Sequence, residues 1–504
     1  MNNKYSRFLH FDIIQYYICF IALAFLFIQS ENSFAQKDIL ADSIETLKES
    51  VVNLEITIPK NIGFDDSGKG YATGFIVDVK GLIVTNRHVT STSPTTVKIT
   101  FRDGSSTEGK VIYYDYYHDF GFIYFDPLKV SFPLQAVTFG SSFALKEYDE
   151  VLLIGNNEKE EYSVKKGRIT SLHKNKGDLH SDTLFTSFDR TKGSSGSPVW
   201  NAQGEVIGLH FAGTDTSSFE LRIEYIKDAL NEIIKGNEPP RRDIGVKLDL
   251  LMFEDAVKYL KLPLNYQDAY KRLFPGEKNI VVIKSIIPRS PASDELKAGD
   301  IIWSIGRGDI LFPSKNTVIG NNLYLFDKLI NELKEETVQL TVIRNGQVQV
   351  LYVTPDNLNQ QKTKAFALFA GGTFQDIPRE FRVDYNFVGE GVLMNSIVKG
   401  STFELIGAWK EKNPTFRRVV IIALDGKPVT NLEDFLHIAS TLNDKEHIAV
   451  TYQDCFGKES IPTMELLTLE LTYNPLQLFV LTKDDQQLFE VWKEVQASVL
   501  IKTQ

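Results

Sequence analysis

A serine loop bounded by glycines places the strongest constraint on how this chain folds. The stretch GSSGSPVW at residues 193–200 holds Ser195 between Gly193 and Gly196, which can adopt backbone angles closed to other residues. A reactive serine needs such a tight loop, with backbone N–H groups beside it that can receive a negatively charged oxygen. Taken alone, the stretch could also be a flexible Gly/Ser turn. The sequence upstream decides between these two interpretations.

A histidine and an aspartate precede the loop, and each borders an apolar, strand-like run. The stretch LIVTNRHV at residues 82–89 ends a β-branched run with His88, and YYHDFGFI at residues 116–123 puts Asp119 at the mouth of another. Histidine, aspartate and serine then follow in the order that chymotrypsin-like double-barrel proteases use for their catalytic triad. Each piece has an ordinary structural reading, but all three in one β-rich segment favour catalysis.

These residues predict acyl transfer by a serine nucleophile. Ser195 attacks the carbonyl, His88 takes its proton and later donates it to the leaving amine, and Asp119 orients His88. The backbone N–H groups of Gly193 and Ser195 form the predicted oxyanion hole.

Other residues compete less well for the same roles. Asp115 and Asp126 are weaker candidates for the acid, because only Asp119 directly precedes an apolar strand. Ser194 and Ser197 lack the Gly-x-Ser-Gly frame that surrounds Ser195.

The same motifs carry a family resemblance. They are TGFIV at 73–77, TNRHV at 85–89, HDFGF at 118–122 and GSSGSP at 193–198. Together they resemble the HtrA/Deg serine proteases, and the GSSGSP form is closest to the large branch with several PDZ modules. The resemblance extends from about residue 50 to about 475. It implies an endoprotease acting on unfolded or damaged proteins, PDZ domains that bind peptide termini, and a homo-oligomer of three or more chains. Two residues depart from the family pattern: Ser197 replaces the more usual second glycine, and Ser194 stands where Asn or Asp is common.

The predicted fold is mainly β, with a chymotrypsin-like double β-barrel protease domain followed by two PDZ-like α+β domains. Short β-rich runs broken by turn residues suit barrels, and the segment 223–235 has the apolar spacing of a closing helix. The expected boundaries are 1–35 for a signal peptide, 38–235 for the trypsin-like serine protease domain, 243–355 for the first PDZ domain, 365–475 for the second PDZ-like domain, and 476–504 for a C-terminal helical extension. Polar stretches around 236–242 and 355–364 are expected to be linkers.

A peptide-binding site is predicted in the first PDZ domain. A PDZ groove adds its ligand as an extra strand and holds the ligand carboxylate with backbone N–H groups. Ile244, Gly245 and Val246 are the candidate carboxylate loop, although a plain strand start fits them equally well. In the second domain the corresponding residues 370–374 fit the usual pattern poorly, which favours a docking or structural role.

The amino-terminal residues read as a targeting segment. A basic start is followed by an uncharged apolar run at residues 16–28 and by small residues before a cleavage point at Gln36. This pattern predicts a periplasmic or otherwise extracytoplasmic location, with no membrane span in the mature chain. Asp12 is unusual in an export signal, so an uncleaved anchor is the alternative. After cleavage only Cys455 would remain, which excludes an internal disulfide.

Composition argues against several other function classes. The formal net charge is −10 and no long basic run occurs, which argues against nucleic-acid binding. The histidines show no metal-ligand spacing, and no phosphate-binding glycine loop is present, so neither metal nor other cofactor is expected. The sequence therefore predicts an ATP-independent serine endoprotease with PDZ domains for substrate capture or regulation. The alternative is a PDZ-based chaperone or scaffold with a latent or inactive protease body.

Substrate preference depends on one open question. Asp189 precedes the nucleophile by six residues, where an acid at the base of the S1 pocket would select Lys or Arg, but a solvated loop acid is favoured. The default expectation is the family's preference for small aliphatic residues.

Overall fold

The computed structural model describes most of the chain in a series of ranges. These are residues 39–59, 62, 68–91, 95–115, 117–157, 160–176, 179–189, 192–307, 317–333, 337–406, 419–455, 461–483 and 490–497. The predicted signal segment at 1–35 lies outside them.

A first closed barrel forms the amino-terminal half of the protease body. After helix α1 (Ile39–Lys48), its elements are β1 (Val51–Ile58), β2 (Gly68–Asp78), β3 (Leu82–Thr85), the short helix α2 (Arg87–Thr90), β4 (Thr96–Thr100), β5 (Ser106–Tyr114) and β6 (Gly121–Tyr124). The strands close in the order β1-β2-β3-β6-β5-β4, all antiparallel. Alternating burial along the strands fills the barrel with branched and aromatic side chains.

A second closed barrel carries the nucleophile loop. Its elements are β7 (Glu150–Asn157), β8 (Glu160–Lys176), β9 (Leu179–Thr186), β10 (Pro198–Trp200), β11 (Val206–Gly213), β12 (Ser218–Arg222) and the closing helix α3 (Ile223–Ile234). The strand order is β10-β11-β12-β9-β8-β7. The predicted double barrel is therefore confirmed, and α3 lies where helical spacing predicted it.

The first PDZ-like unit is an antiparallel sheet flanked by helices. Its elements are β13 (Arg242–Asp243), β14 (Val246–Met252), α4 (Phe253–Tyr259), α5 (Leu264–Leu273), β15 (Asn279–Ile286), β16 (Ile301–Arg307), β17 (Thr317–Val318), α6 (Leu323–Glu332), β18 (Val338–Arg344), β19 (Gln347–Val353) and β20 (Asp356–Asn357). The sheet order β14-β15-β16-β18-β19 leaves β14 at one edge. Helix α6 packs Leu323, Phe326 and Ile330 into the same core as the sheet.

The second PDZ-like unit contains a longer sheet. Its elements are β21 (Ala365–Phe369), β22 (Gly372–Asp376), α7 (Arg379–Tyr385), β23 (Val392–Ile397), β24 (Val419–Leu424), β25 (Lys427–Pro428), α8 (Leu432–Ala439), β26 (His447–Asp454), β27 (Thr463–Thr468), β28 (Gln477–Lys483) and β29 (Glu490–Val495). The main order is β27-β26-β24-β23-β22-β21-β28-β29.

The predicted C-terminal helical extension is wrong over its described residues. Residues 490–495, expected in an amphipathic helix, form β29, which pairs antiparallel with β28. Tertiary pairing decides this case, because β28 in turn pairs with β21 and completes the sheet of the second PDZ-like unit.

The two polar stretches expected to be linkers are partly ordered against each other. β13 pairs with β20, so the exit of the protease body and the exit of the first PDZ-like unit are joined. Arg241 and Lys362, one on each stretch, are both buried. The linkers therefore fix the positions of the domains instead of only connecting them.

Candidate active site

His88 and Asp119 meet at one end of the first barrel. Strand β3 delivers His88 into the short helix α2, and Asp119 lies just before the neighbouring β6. The His88 Nδ1–H donates to Asp119 Oδ2 at 2.7 Å, and the His88 backbone N–H donates to Asp119 Oδ1 at 3.0 Å. This pairing leaves Nε2 as the ring nitrogen that can accept a proton. The His88 side chain is 43% exposed, which keeps it open to a substrate.

The contacts of Asp119 keep its carboxylate ionised. Burial alone would raise the pKa of Asp119, but the charge of His88 and the two hydrogen bonds from it hold that pKa below its usual value. Asn86 adds a third contact, since its Nδ2 donates to the Asp119 carbonyl at 2.9 Å.

The Ser195 loop packs against the strand that leads to His88. Gly196 has φ +85°, and a Cβ at this position would lie 2.0 Å from the Thr73 carbonyl oxygen and 2.3 Å from Thr85 Oγ1. Only glycine permits that approach. Because Thr85 ends β3 three residues before His88, this close fit holds the Ser195 loop against the strand that leads to His88.

Thr73 joins the two barrels beneath the predicted oxyanion hole. Its backbone N–H donates to the Ser195 carbonyl at 2.9 Å, and its hydroxyl donates to the Gly193 carbonyl at 3.0 Å. The same hydroxyl accepts from the Asn156 N–H at 2.9 Å. Gly193 itself has φ +91°, and a side chain there would meet the Asn156 carbonyl oxygen at 2.7 Å. Sequence reasoning missed the roles of Thr73 and Asn86, although both stand in the quoted motifs.

Asp189 does not form the base of a pocket. Its side chain is 62% exposed and forms an ion pair with Lys165 at 2.6 Å. The hydrogen bond from Lys165 lowers the pKa of Asp189. The structure thus agrees with the solvated-acid interpretation and places no free carboxylate for a basic substrate residue at this position.

The loop that precedes Asp119 is anchored by a buried carboxylate. Asp115 is fully buried and accepts from the Tyr113 hydroxyl at 2.8 Å and from the backbone N–H groups of Tyr117 and His118 at 3.0 and 2.8 Å. Arg241, from the stretch after the protease body, adds an ion pair through Nε. The carboxylate of Asp115 therefore holds the loop in shape. This position agrees with the prediction that Asp115 is a weaker candidate than Asp119 for the catalytic acid.

A second buried polar cluster connects this loop with the first PDZ-like unit. His118 Nδ1 lies 2.8 Å from Ser181 Oγ, and its Nε2 lies 3.8 Å from Oδ2 of Asp327, which belongs to helix α6. The Tyr225 hydroxyl donates to the same oxygen at 3.1 Å. Burial lowers the pKa of His118 to about 3 and raises the pKa of Asp327 well above its usual value. His118 is therefore neutral near pH 7, and burial favours the neutral form of Asp327 as well.

The predicted carboxylate loop lies at the start of β14. Ile244 and Val246 are fully buried in the core of the first PDZ-like unit. Gly245 has φ +83°, and its carbonyl accepts from the Ile287 N–H at 2.9 Å and the Ser290 hydroxyl at 3.1 Å. A turn held in this way is compatible with N–H groups that face a ligand, and the peptide-binding role stays a prediction.

Fold and site together are those of a trypsin-like peptidase domain. The trypsin-like peptidase domain family matches residues 72–209, a range that contains His88, Asp119 and Ser195. Within this class the chain is similar to the HtrA-type serine proteases, as the four motifs indicated.

Two of the proteins with similar sequences come from fungi. The chain is 26% identical over 437 residues to the pro-apoptotic serine protease NMA111 of Meyerozyma guilliermondii, covering 84% of this chain and 42% of that protein. It is 25% identical over 434 residues to the PDZ domain-containing protein C23G3.12c of Schizosaccharomyces pombe, with 84% and 42% covered. The chain thus spans about two fifths of the length of these relatives. Among solved structures, the HtrA-type protease AlgW with a tripeptide shows 21% identity and a TM-score of 0.46, covering 62% of this chain and 96% of that one.

These relatives overturn the predicted periplasmic or otherwise extracytoplasmic location. The two relatives named above are fungal proteins and not periplasmic bacterial ones. The prediction depended on a basic start, an apolar run and small residues before a cleavage point, which are features of the sequence alone. In the ranges that the structure describes, no helix has the length and apolar character needed to cross a bilayer.

Proposed function

We propose that this chain is an ATP-independent serine endoprotease that cleaves unfolded or damaged proteins, with the first PDZ-like unit binding peptide termini. The observation that carries the proposal is the bonded His88–Asp119 pair, together with a Ser195 loop that packs closely, through Gly196, against the strand leading to His88.

The geometry supports a two-stage acyl transfer. His88 Nε2 removes the proton from the Ser195 hydroxyl as it attacks the substrate carbonyl, and Asp119 stabilises the resulting imidazolium. The N–H groups of Gly193 and Ser195 receive the developing oxyanion, in a loop that Thr73 fixes from behind. His88 then protonates the leaving amine, and water releases the acyl group by the same steps in reverse.

Substrate selection follows from the pocket and from the PDZ-like unit. Because Asp189 is exposed and paired with Lys165, no acid at that position selects a basic residue, and we propose small aliphatic residues before the cleaved bond. One relative is named a PDZ domain-containing protein, which supports the peptide-binding role of the first unit.

The decisive experiment compares casein cleavage by the wild-type chain, Ser195→Ala and Ser194→Ala, without ATP. Ser195→Ala should lose several orders of magnitude in rate, because removal of one triad member disables the unit. Ser194→Ala, which removes the neighbouring hydroxyl, should retain most of the activity. Equal activity in all three chains would refute the Ser195 assignment. No cleavage by any of them, even with added C-terminal peptides, would instead favour the chaperone or scaffold alternative.

The proposal includes a homo-oligomer of three or more chains. Sedimentation velocity of the intact chain measures this directly. A trimer or larger species is expected, and a monomer across the accessible concentrations would contradict it.

A further inference from the structure

The second PDZ-like unit differs from the first at one edge of its sheet. Strand β22 pairs with β23 on one side, with Gly372 opposite Ile397 and Asp376 opposite Val392. On its other side β22 pairs with β21, with Phe369 opposite Gly372 and Ala367 opposite Phe374. A strand has only two hydrogen-bonding edges, so both edges of β22 are occupied by this chain.

Comparison of the two units identifies the edge taken by β21 as the peptide-binding edge. Gly371, with φ +86°, corresponds to Gly245, with φ +83°. In both units the glycine carbonyl accepts a backbone N–H, from Val398 at 2.7 Å and from Ile287 at 2.9 Å respectively. In both, a Cβ on the glycine would collide with a serine Cβ at about the same distance, 2.1 Å to Ser401 and 2.0 Å to Ser290. The strand after each glycine is therefore equivalent, and it is beside this strand that a PDZ ligand adds as an antiparallel strand.

In the first unit, no strand pairs with the equivalent edge among the described residues. Among the described residues, strand β14 pairs only with β15. The carbonyl of Leu248 in β14 accepts a hydrogen bond from the Asn175 side chain at 2.7 Å. The protease hairpin β8–β9 lies next to it. In the first unit the peptide-binding edge is thus not occupied by a strand of the described residues, whereas in the second unit it is occupied by β21.

The side chains of β21 alternate as those of a bound PDZ ligand would. Ala367 and Phe369 are fully buried in the core cluster that helix α8 covers, and the Phe369 ring lies 5.9 Å from the ring of Phe435 on that helix. Phe366 points to the opposite face, where it stacks on Phe479 at 4.8 Å. Specificity in strand addition comes from such alternate side chains entering pockets.

A tight turn joins this internal strand to its receptor strand. Ala370 and Gly371 both have positive φ, at +48° and +86°, which is the pattern of a two-residue type I′ hairpin. The Ala370 N–H donates to the Asn474 carbonyl at 2.9 Å, and β28 pairs along the outer edge of β21. Release of β21 would therefore break its hydrogen bonds with β28 as well as those with β22.

We infer that the second PDZ-like unit is self-liganded: residues 365–369 occupy its peptide groove permanently, at the position where a free peptide would end in a carboxylate. The inference deepens the proposed function and rests on it for the assignment of PDZ-like grooves. Its consequence is that external peptides bind only to the first unit, with a stoichiometry of one peptide per chain.

The first test uses hydrogen exchange by mass spectrometry on the full chain. The probe is the synthetic heptapeptide Thr-Lys-Ala-Phe-Ala-Leu-Phe, the sequence of residues 363–369 with a free carboxylate. In the wild-type chain, exchange at residues 365–376 and 432–439 should be slow and unchanged by saturating probe. Faster exchange at 365–369, together with protection of 372–376, would show displacement of β21 and overturn the inference.

A matched pair of variants tests whether the groove can accept the probe once its internal ligand is weakened. Phe369→Ala removes the ring that faces helix α8, and Phe366→Ala removes an equally buried ring on the other face. The probe should protect residues 372–376 and 432–439 in Phe369→Ala only. Equal protection in Phe366→Ala would contradict the assignment of the groove.

A disulfide between β21 and β22 provides a second test in case Phe369→Ala fails to fold. Leu368 and Thr373 are directly opposite in the β21–β22 ladder, one pair beyond the residues that close the turn, so a double cysteine variant brings the two sulfurs within reach of a disulfide. The disulfide should form in the folded chain and leave peptide stoichiometry and casein cleavage unchanged. Loss of peptide binding on oxidation would mean that β21 must leave, and absence of the disulfide would mean that the strands do not pair; either result overturns the inference. Loss of casein cleavage by every chain, locked or not, bears on the proposed protease function alone, because the exchange and disulfide readouts do not depend on it.

Discussion

Replacement of Thr73 by valine tests whether the junction of the two barrels supports the oxyanion hole. Valine keeps the shape of threonine but removes a fully buried hydroxyl that donates to the Gly193 carbonyl and accepts from the Asn156 N–H. The buried Asn156 N–H left unpaired costs about 1–3 kcal/mol and the part-buried Gly193 carbonyl costs less, so the free energy of unfolding should fall by about 2–4 kcal/mol. Because loss of one oxyanion donor lowers kcat by about 100–1000-fold, and here Gly193 is displaced instead of removed, we expect a fall in kcat of about 10–100-fold with KM little changed.

The assay combines urea unfolding with steady-state hydrolysis of a chromogenic peptide. Thr96→Val is the matched control, because Thr96 is an exposed residue of β4 outside the junction, and it should change both quantities little. A Thr73→Val chain that loses stability but keeps kcat within about twofold would refute the reasoning. Thr73 would then join the barrels without shaping the site.

Three further predictions follow from the buried charges. Arg241→Met should lower the free energy of unfolding by about 3–5 kcal/mol, because it leaves the Asp115 carboxylate unpaired in the interior. Adding Asp115→Asn should recover most of that loss. Equal losses in the single and double variants, measured by urea unfolding, would contradict this prediction. Burial raises the pKa of Asp327, so the folded chain keeps a proton that the unfolded chain releases above its ordinary pKa, and this group lowers stability as the pH rises. Asp327→Asn should therefore lose less stability than the wild type as the pH rises above the ordinary pKa of an aspartate. His118 faces the same carboxyl group, so its own titration is compared in both chains. Identical pH profiles of the two chains would count against a raised pKa of Asp327. Asp119→Asn should lower kcat by about 10⁴-fold in the same peptide assay, and near-normal kcat would exclude its orienting role.

The residues of the site were predictable because their chemistry is local in sequence. Nucleophile loops need glycine next to the serine, and Gly193 and Gly196 have the positive φ values that this requires. Strand ends that present His88 and Asp119 are also marked locally, by apolar runs on one side. These signals can be read from the local sequence, without knowledge of any residue that is distant in the chain.

The supporting residues could not be found in the same way. Thr73 bonds Gly193 across 120 residues of chain, and Asn86 bonds the Asp119 carbonyl across 33. A threonine on a strand and an asparagine before a helical turn are ordinary in sequence, and only the folded barrels give them these partners.

The C-terminal region shows how tertiary pairing overrides a periodic pattern. Apolar residues between 488 and 499 have helical spacing, yet Val491 and Trp492 lie in strand β29. The template for that strand is β28, which is fixed by its ladder with β21 more than 100 residues earlier. A short apolar pattern suits either structure, and the distant strand decides between them.

The central claim, that Ser195 is the nucleophile activated by His88, is tested most directly by covalent labelling with a fluorophosphonate. Such a reagent reacts with an activated serine and leaves a defined mass on it. We expect stoichiometric labelling, located by mass spectrometry at Ser195, in the wild-type chain and no labelling in His88→Ala. A label on Ser194 or Ser197, or equal labelling without His88, would contradict the account.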